Sequence, residues 1–182
     1  MQDKKNIRSQ MRSRYRDFLA EGSENMASEK VWSQVESLEI FQRAKCILIY
    51  MSISGEVIST DFINRWYGKK RFVLPKVQGD ILELKEYQED KLIRGYKDIL
   101  EPSEHAPCVS CKDIELALIP GVAFARKRDG KIARLGRGGG FYDRLLPEIK
   151  CCKIGICFPF RVVEDLPLEP HDISLDLLCD GV

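Results

Sequence analysis

The run Cys46-Ile47-Leu48-Ile49-Tyr50 limits what this 182-residue chain can fold into more than any other feature. Five apolar residues without polar alternation make a strand that must be covered on both faces. Other strand candidates are Arg71-Phe72-Val73-Leu74, closed by Pro75, then Ile114 to Ile119, Lys153 to Cys157 and Leu175 to Cys179. Leu82-Glu83-Leu84-Lys85 alternates, as a half-exposed strand should. Helical patterns separate them. From Asp3 to Leu19 apolar residues recur at Ile7, Met11, Tyr15, Phe18 and Leu19, while Lys4, Arg8 and Arg12 line a second face. A second helix is predicted over Glu24 to Ser37, with Met26, Val31, Trp32 and Val35 as its buried side. A third runs through Asp61, Phe62, Ile63 and Trp66, capped by Ser59 or Thr60. Strands separated by helices predict an α/β fold, here one domain over residues 1–182. Its expected form is a three-layer α/β/α sandwich around a mostly parallel, mixed sheet. Ligands of such sheets gather beyond the carboxyl ends of the strands. That rule points to Met51–Thr60 and to the long loop after Ile119.

Charge balance narrows the function. Twenty-nine basic residues face twenty-eight acidic ones, for a formal charge of +1, where a dedicated nucleic-acid binder would carry a basic excess. A small-molecule site fits better, with no nucleic-acid and no membrane partner. The basic N-terminal helix reads as a solvated face opposite a packed stripe sooner than as an RNA-binding arm. No apolar run approaches the roughly 18 residues needed to span a bilayer. Met1-Gln2-Asp3-Lys4-Lys5 opens an amphipathic pattern and not a signal core, so a cytoplasmic location is expected; a monomer is the separate expectation for its assembly. An odd count of seven cysteines, with Cys46, Cys157 and Cys179 in apolar stretches, reads as reduced thiols. His105 with Cys108 and Cys111 is half of a zinc pattern, but the matching His-x-Glu segment is missing. Two loop thiols are the simpler reading, and Cys151-Cys152 is likewise read as structural.

The densest chemistry lies in Arg134-Leu135-Gly136-Arg137-Gly138-Gly139-Gly140-Phe141-Tyr142-Asp143-Arg144. Four glycines in five positions let main-chain amides turn toward an anion. A short helix beginning near Phe141 would aim its unsatisfied donors at the same place. Arg134 and Arg137 offer charge-assisted bonds to phosphate oxygens, and Asp143 a ligand for magnesium. The bland alternative is a flexible surface turn. No Gly-Lys-Ser/Thr ending follows, which excludes a Walker A loop. Lys127 to Arg134 is mostly charged and not the apolar strand that precedes a dinucleotide fingerprint.

The loop, together with Ile119-Pro120-Gly121-Val122-Ala123-Phe124 and Gly130, resembles the signature of the 5-formyltetrahydrofolate cyclo-ligase family. The resemblance covers nearly the whole chain. Lys4-Lys5-Asn6-Ile7-Arg8 is similar to the family's basic first helix. Tyr50-Met51-Ser52, with Glu56-Val57 and Thr60, is similar to its folate-side segment. Leu74-Pro75, Leu100-Glu101-Pro102, and Pro167 with His171-Asp172 match in order and spacing. One position departs: the family has an aspartate where this chain has Ala125. If that carboxylate orients the loop or the metal shell, Asp129 is the available substitute, or the site is tuned differently.

The resemblance implies ATP-dependent closure of 5-formyltetrahydrofolate to 5,10-methenyltetrahydrofolate, with ATP phosphorylating the formyl oxygen before the ring closes. It places Lys4, Lys5, Asn6, Ile7 and Arg8 on the nucleotide with Arg134, Leu135, Gly136, Arg137, Gly138, Gly139, Gly140, Phe141 and Tyr142. Met51, Glu56, Arg137, Gly138, Gly139, Gly140 and Phe141 would meet the folate. Asp143 and Asp172 would hold Mg²⁺, and Arg137 and Tyr142 would act at the reacting centre. Glu56 suits a pterin because a carboxylate accepts from both adjacent donors of an amino-pyrimidinone edge, and Met51 offers adaptable apolar contact. The competing reading of Glu56 is a charge near a helix start, worth a few tenths of a kcal/mol. Two other functions remain open at this point: a sugar-phosphate isomerase-like enzyme, and a nucleotide- or RNA-binding module without catalysis.

Overall fold

The computed structural model describes residues 3–169 and 172–182. In chain order its elements are α1 (Lys4–Ala20), α2 (Glu24–Ser37), α3 (Glu39–Arg43), β1 (Cys46–Leu48), α4 (Thr60–Trp66), β2 (Arg71–Gln78) and β3 (Ile81–Glu86). There follow β4 (Leu92–Arg94), β5 (Leu100–Pro102), β6 (Leu116–Pro120), β7 (Ala123–Arg126), β8 (Ile132–Leu135), α5 (Phe141–Leu145), β9 (Cys152–Ile156) and β10 (Leu177–Cys179).

The apolar run is strand β1, and both of its faces are covered. Ile47 and Ile49 meet Val31, Trp32 and Val35 of α2, Phe41 of α3 and Phe62 of α4. Cys46 and Leu48 face the opposite layer, where Leu145 of α5 and Phe124 and Ile132 of the β7–β8 hairpin close the core. Trp32 and Phe62 stack with ring centroids 4.1 Å apart, a pairing worth roughly 0.5–1.5 kcal/mol beyond the area it buries. The sheet has six strands in the order β10-β9-β6-β1-β2-β3. All neighbours run parallel except β3, which turns back against β2. The expected α/β architecture with a mostly parallel, mixed sheet is therefore present.

Several local expectations need correction. Pro75 does not end its strand: β2 continues to Gln78, with Pro75 opposite Leu84. Ile49 N donates to Val73 O, so Val73 and, two residues on, Pro75 turn their main chain to the β1 side. Pairing with β1 stops at Val73, and no donor is needed from Pro75. Met26 is 62% exposed and Leu19 42%, because both lie outside the arc of their helix that meets the protein. Ser59 stands at the N-cap position of α4 but makes no side-chain cap bond. Its Oγ instead accepts from Ser52 N, and its own amide donates to Ser52 Oγ, which closes the Ser52–Ser59 loop on itself. The charged stretch before the glycines contains a buried strand, β8, paired antiparallel to β7. Being one arm of a hairpin, it still does not make a dinucleotide fold.

Helix α1 packs apart from the sheet. Ile7 and Met11 are buried against Ala123, Ala125, Ala133 and Leu135 of the β7–β8 hairpin and against Leu166. The small hairpin side chains let the helix come close, and its first turn ends up beside the loop that follows β8. Met11→Ala should lower unfolding free energy by about 2–5 kcal/mol, the range for emptying a buried methionine site. Met26→Ala should stay within about 0.5 kcal/mol, as exposed positions do. Urea titration of the two variants distinguishes them, and equal losses would mean that α1 is not held by this contact.

Candidate active site

The carboxyl ends of β1 and β6, and the length of β2 beyond its pairing with β1, converge on one cavity of about 450 Å³. Tyr50 and Met51 leave β1, Leu74 and Pro75 belong to β2, and Pro120 and Gly121 end β6. The glycine loop and α5 form the facing wall, and the β4–β5 hairpin closes the outer end with Tyr96, Ile99 and Leu100. Tyr96 meets the Phe141 ring edge-on at 5.8 Å between centroids. The lining is apolar except for a few convergent charges, the usual make-up of a small-molecule site.

Glu56 is a buried carboxylate of this cavity. The turn through Ser54 and Gly55 carries it inward until its side chain is only 10% exposed. One oxygen accepts from Ile53 N and the other from Arg137 Nε at 3.2 Å. Burial pushes its pKa above the ordinary 4.5, and the Arg137 guanidinium beside it works in the opposite direction. Burial also raises the Tyr142 phenol well above its usual value, and the charge on Glu56 adds to that shift. Tyr50 is raised for the same two reasons.

The glycine loop joins β8 to α5. Gly138 and Gly140 take φ of +101° and +68°, conformations that a side chain would strain. Its carbonyls are engaged: Arg8 Nε donates to Gly136 O at 2.9 Å and Arg144 Nη2 to Gly139 O at 3.0 Å. The amides from Gly136 to Gly140 donate no hydrogen bond among the described residues. A run of unused amides held in place by arginines on the carbonyl side has the chemistry to receive an anion. Helix α5 has five residues, so its dipole adds less than the sequence suggested.

A second groove of about 700 Å³ lies on the other side of Arg137. Arg8, Arg12 and Arg16 of α1 line it with Arg137 and Arg161, and no carboxylate is among its lining residues. Arg137 borders both spaces.

The expected site residues distribute unevenly. Arg134, Arg137, the glycines, Phe141, Tyr142, Asp143, Met51 and Glu56 all line the first cavity. Arg8 reaches the loop, whereas Lys5 and Asn6 are exposed and Ile7 and Leu135 are core. Asp143 pairs at 2.8 Å with Arg134, whose side chain is 3% exposed. Asp172 accepts from Lys4 at 2.9 Å. His171 lies outside the described residues. Asp129 cannot replace the aspartate missing at Ala125. It sits in the turn at the far end of the β7–β8 hairpin and accepts from Lys131 N, with the whole of β8 between it and the glycines. Ala125 itself is buried beneath α1. Among the described residues no three histidine, cysteine or acidic side chains gather as a metal site, so His105, Cys108 and Cys111 do not assemble one there. Sequence reasoning missed Arg161, the β4–β5 wall and the groove. A charge inside the otherwise apolar Cys157–Val163 stretch was the available signal for Arg161.

The model of the 5-formyltetrahydrofolate cyclo-ligase family matches residues 1–180. The chain belongs to that family. A cyclo-ligase of Haemophilus influenzae is 28% identical over 96% of this chain and 95% of its own length. The solved 5,10-methenyltetrahydrofolate synthetase of Aquifex aeolicus is 34% identical, with a TM-score of 0.86 over 98% of this chain and 89% of that one. The corresponding synthetase of Mycoplasma pneumoniae is 26% identical, with a TM-score of 0.78 over the full length of both. Membership in the cyclo-ligase family replaces the isomerase-like and non-catalytic readings.

In this cyclo-ligase fold Arg134 has little but Asp143 to neutralise it. Asp143→Asn should therefore lower ligand-free stability by about 1.5–3 kcal/mol, the range for a hydrogen bond to a charged group. Chemical denaturation measures this, and an unchanged midpoint would show that another group balances Arg134.

Proposed function

We propose that this chain closes 5-formyltetrahydrofolate to 5,10-methenyltetrahydrofolate at the expense of ATP, releasing ADP and phosphate. The observation that carries this reading is the position of Arg137. It stands between an apolar cavity with a buried carboxylate, suited to a pterin, and an arginine-lined groove, suited to a triphosphate.

The chemistry needs both. A formamide oxygen is a poor leaving group, and transfer of the γ-phosphoryl group to it converts it to a phosphate ester. The nitrogen at position ten then attacks the formyl carbon, the C–O bond breaks, and phosphate departs, taking up the proton that the nitrogen loses. No side-chain nucleophile takes part, so positioning and charge stabilisation carry the rate. Unused loop amides with Arg137 and Arg8 would spread the charge of the moving phosphoryl group. Glu56 would accept from the amino-pyrimidinone edge, and Met51 would pack on the ring. Tyr142, with its pKa raised, keeps its proton at neutral pH and acts there as a hydrogen-bond donor, not a base.

Magnesium fits the donor set. The ion takes one or two carboxylates and completes its shell with phosphate oxygens and water. Asp143 and Asp172 would hold it once their pairs with Arg134 and Lys4 open. Bound there, it would supply Lewis-acid neutralisation of phosphate charge.

Incubation with Mg-ATP and 5-formyltetrahydrofolate, followed by absorbance of the methenyl product in acid, should show turnover; folded protein giving no signal would overturn the reading. Arg137→Ala should lose about 1.5–3 kcal/mol of kcat/KM, roughly ten- to hundredfold, and unchanged turnover would remove Arg137 from the site. For Glu56→Gln the folate KM should rise while the ATP KM stays. Pterin recognition needs the charged form of Glu56, whose folded pKa lies above 4.5. Folate kcat/KM in the wild type should therefore fall on acidification while the pH is still above that value. A profile flat down to it would contradict the assignment.

A further inference from the structure

Arg161 is the least exposed arginine around the two spaces apart from Arg134, at 6% of its surface. It sits in the turn Pro159–Arg161 that follows β9, at the carboxyl edge of the sheet. Its Nη1 donates to Val122 O at 2.8 Å, and its Nη2 donates to Gly55 O. One guanidinium thus joins the segment after β6 to the turn that carries Glu56. Its plane lies over the Phe160 ring at 5.1 Å and near Tyr15 of α1 at 6.0 Å. Gly55 is shaped for this contact. Its φ is +88°, and a Cβ there would stand 2.6 Å from Arg161 Nη2.

Two arginines therefore hold one turn in different ways. Arg137 reaches Ser54 O and Glu56 from the glycine loop, but its side chain is 51% exposed and the loop around it is glycine. Arg161 is enclosed. When a triphosphate draws Arg137 away, a buried Glu56 without compensation would take up a proton and lose its value as an acceptor.

We propose that Arg161 is a positioning residue for Glu56, the fixed counter-charge that keeps the pterin-accepting carboxylate in place while Arg137 serves the phosphate side. This rests on the reading of Glu56 given above. The groups facing Glu56 are Arg137 from the glycine loop, Arg161 from the turn after β9, Tyr142 from α5 and Tyr50 from the end of β1. Of these, the two arginines favour its charged form, and the tyrosines remain neutral at neutral pH.

The test compares Arg161→Gln, Arg161→Lys and Glu56→Gln in steady-state kinetics across pH, with thermal melts to establish folding. Arg161→Gln should raise the KM for 5-formyltetrahydrofolate about tenfold and the ATP KM by clearly less, since Arg161 also borders the groove. The acidic limb of folate kcat/KM should move to higher pH, because Glu56 has lost a cation. Arg161→Lys keeps the charge but not the two-carbonyl grip, so its KM should rise while the limb stays near its wild-type position. Should Arg161→Gln not fold, the lysine variant decides alone: an unchanged folate KM overturns the proposal. Equal rises in both substrate KM values, or an unmoved limb in a folded glutamine variant, overturn it as well. If Glu56→Gln raises the folate KM and neither Arg161 variant does, the Arg161 role alone falls. If Glu56→Gln itself leaves folate binding intact, both assignments fall.

Discussion

Alanine side chains at Ala123, Ala125 and Ala133 let α1 approach the β7–β8 hairpin until Ile7 and Met11 are fully buried. That contact sets the first turns of the helix beside the glycine loop. Each of the two apolar side chains contributes about 1.5–3 kcal/mol by leaving water. The pair between Lys4 and the exposed Glu169 contributes at most about 1 kcal/mol. Apolar packing therefore sets where the helix lies, and its arginines follow. Arg8 lands on Gly136 O, and Arg12 and Arg16 line the groove beyond it.

Electrostatics then divides the labour between the two spaces. The chain as a whole is nearly neutral, yet five arginines border one groove without a carboxylate among the lining residues. The neighbouring cavity is mostly apolar and has the buried Glu56 in its lining. Desolvation there favours the neutral carboxylic acid, and the adjacent guanidinium groups work against it. An arginine shared by the two spaces couples them, which suits a reaction that moves a phosphoryl group from one ligand to the other.

The sheet was legible because β1 and β6 are apolar runs whose covering leaves little choice of architecture. The glycine loop was legible because only a backbone with positive φ, as at Gly138, needs so many glycines beside arginines. Strand β8 was hidden by composition. Arg134 is buried within it, balanced by Asp143, and a paired buried charge reads as a loop residue in sequence. Pro75 misled for the opposite reason, since a rule about lost donors does not apply where the neighbouring strand has already stopped. Arg161 was invisible as a partner of Gly55 because 106 residues separate them in sequence.

The most direct test is a crystal structure with a non-hydrolysable ATP analogue and 5-formyltetrahydrofolate bound together. The account predicts phosphate oxygens on the amides of Gly136 to Gly140, Arg137 turned toward them, and the pterin edge on Glu56. A nucleotide bound elsewhere, with those amides facing only solvent, would contradict it.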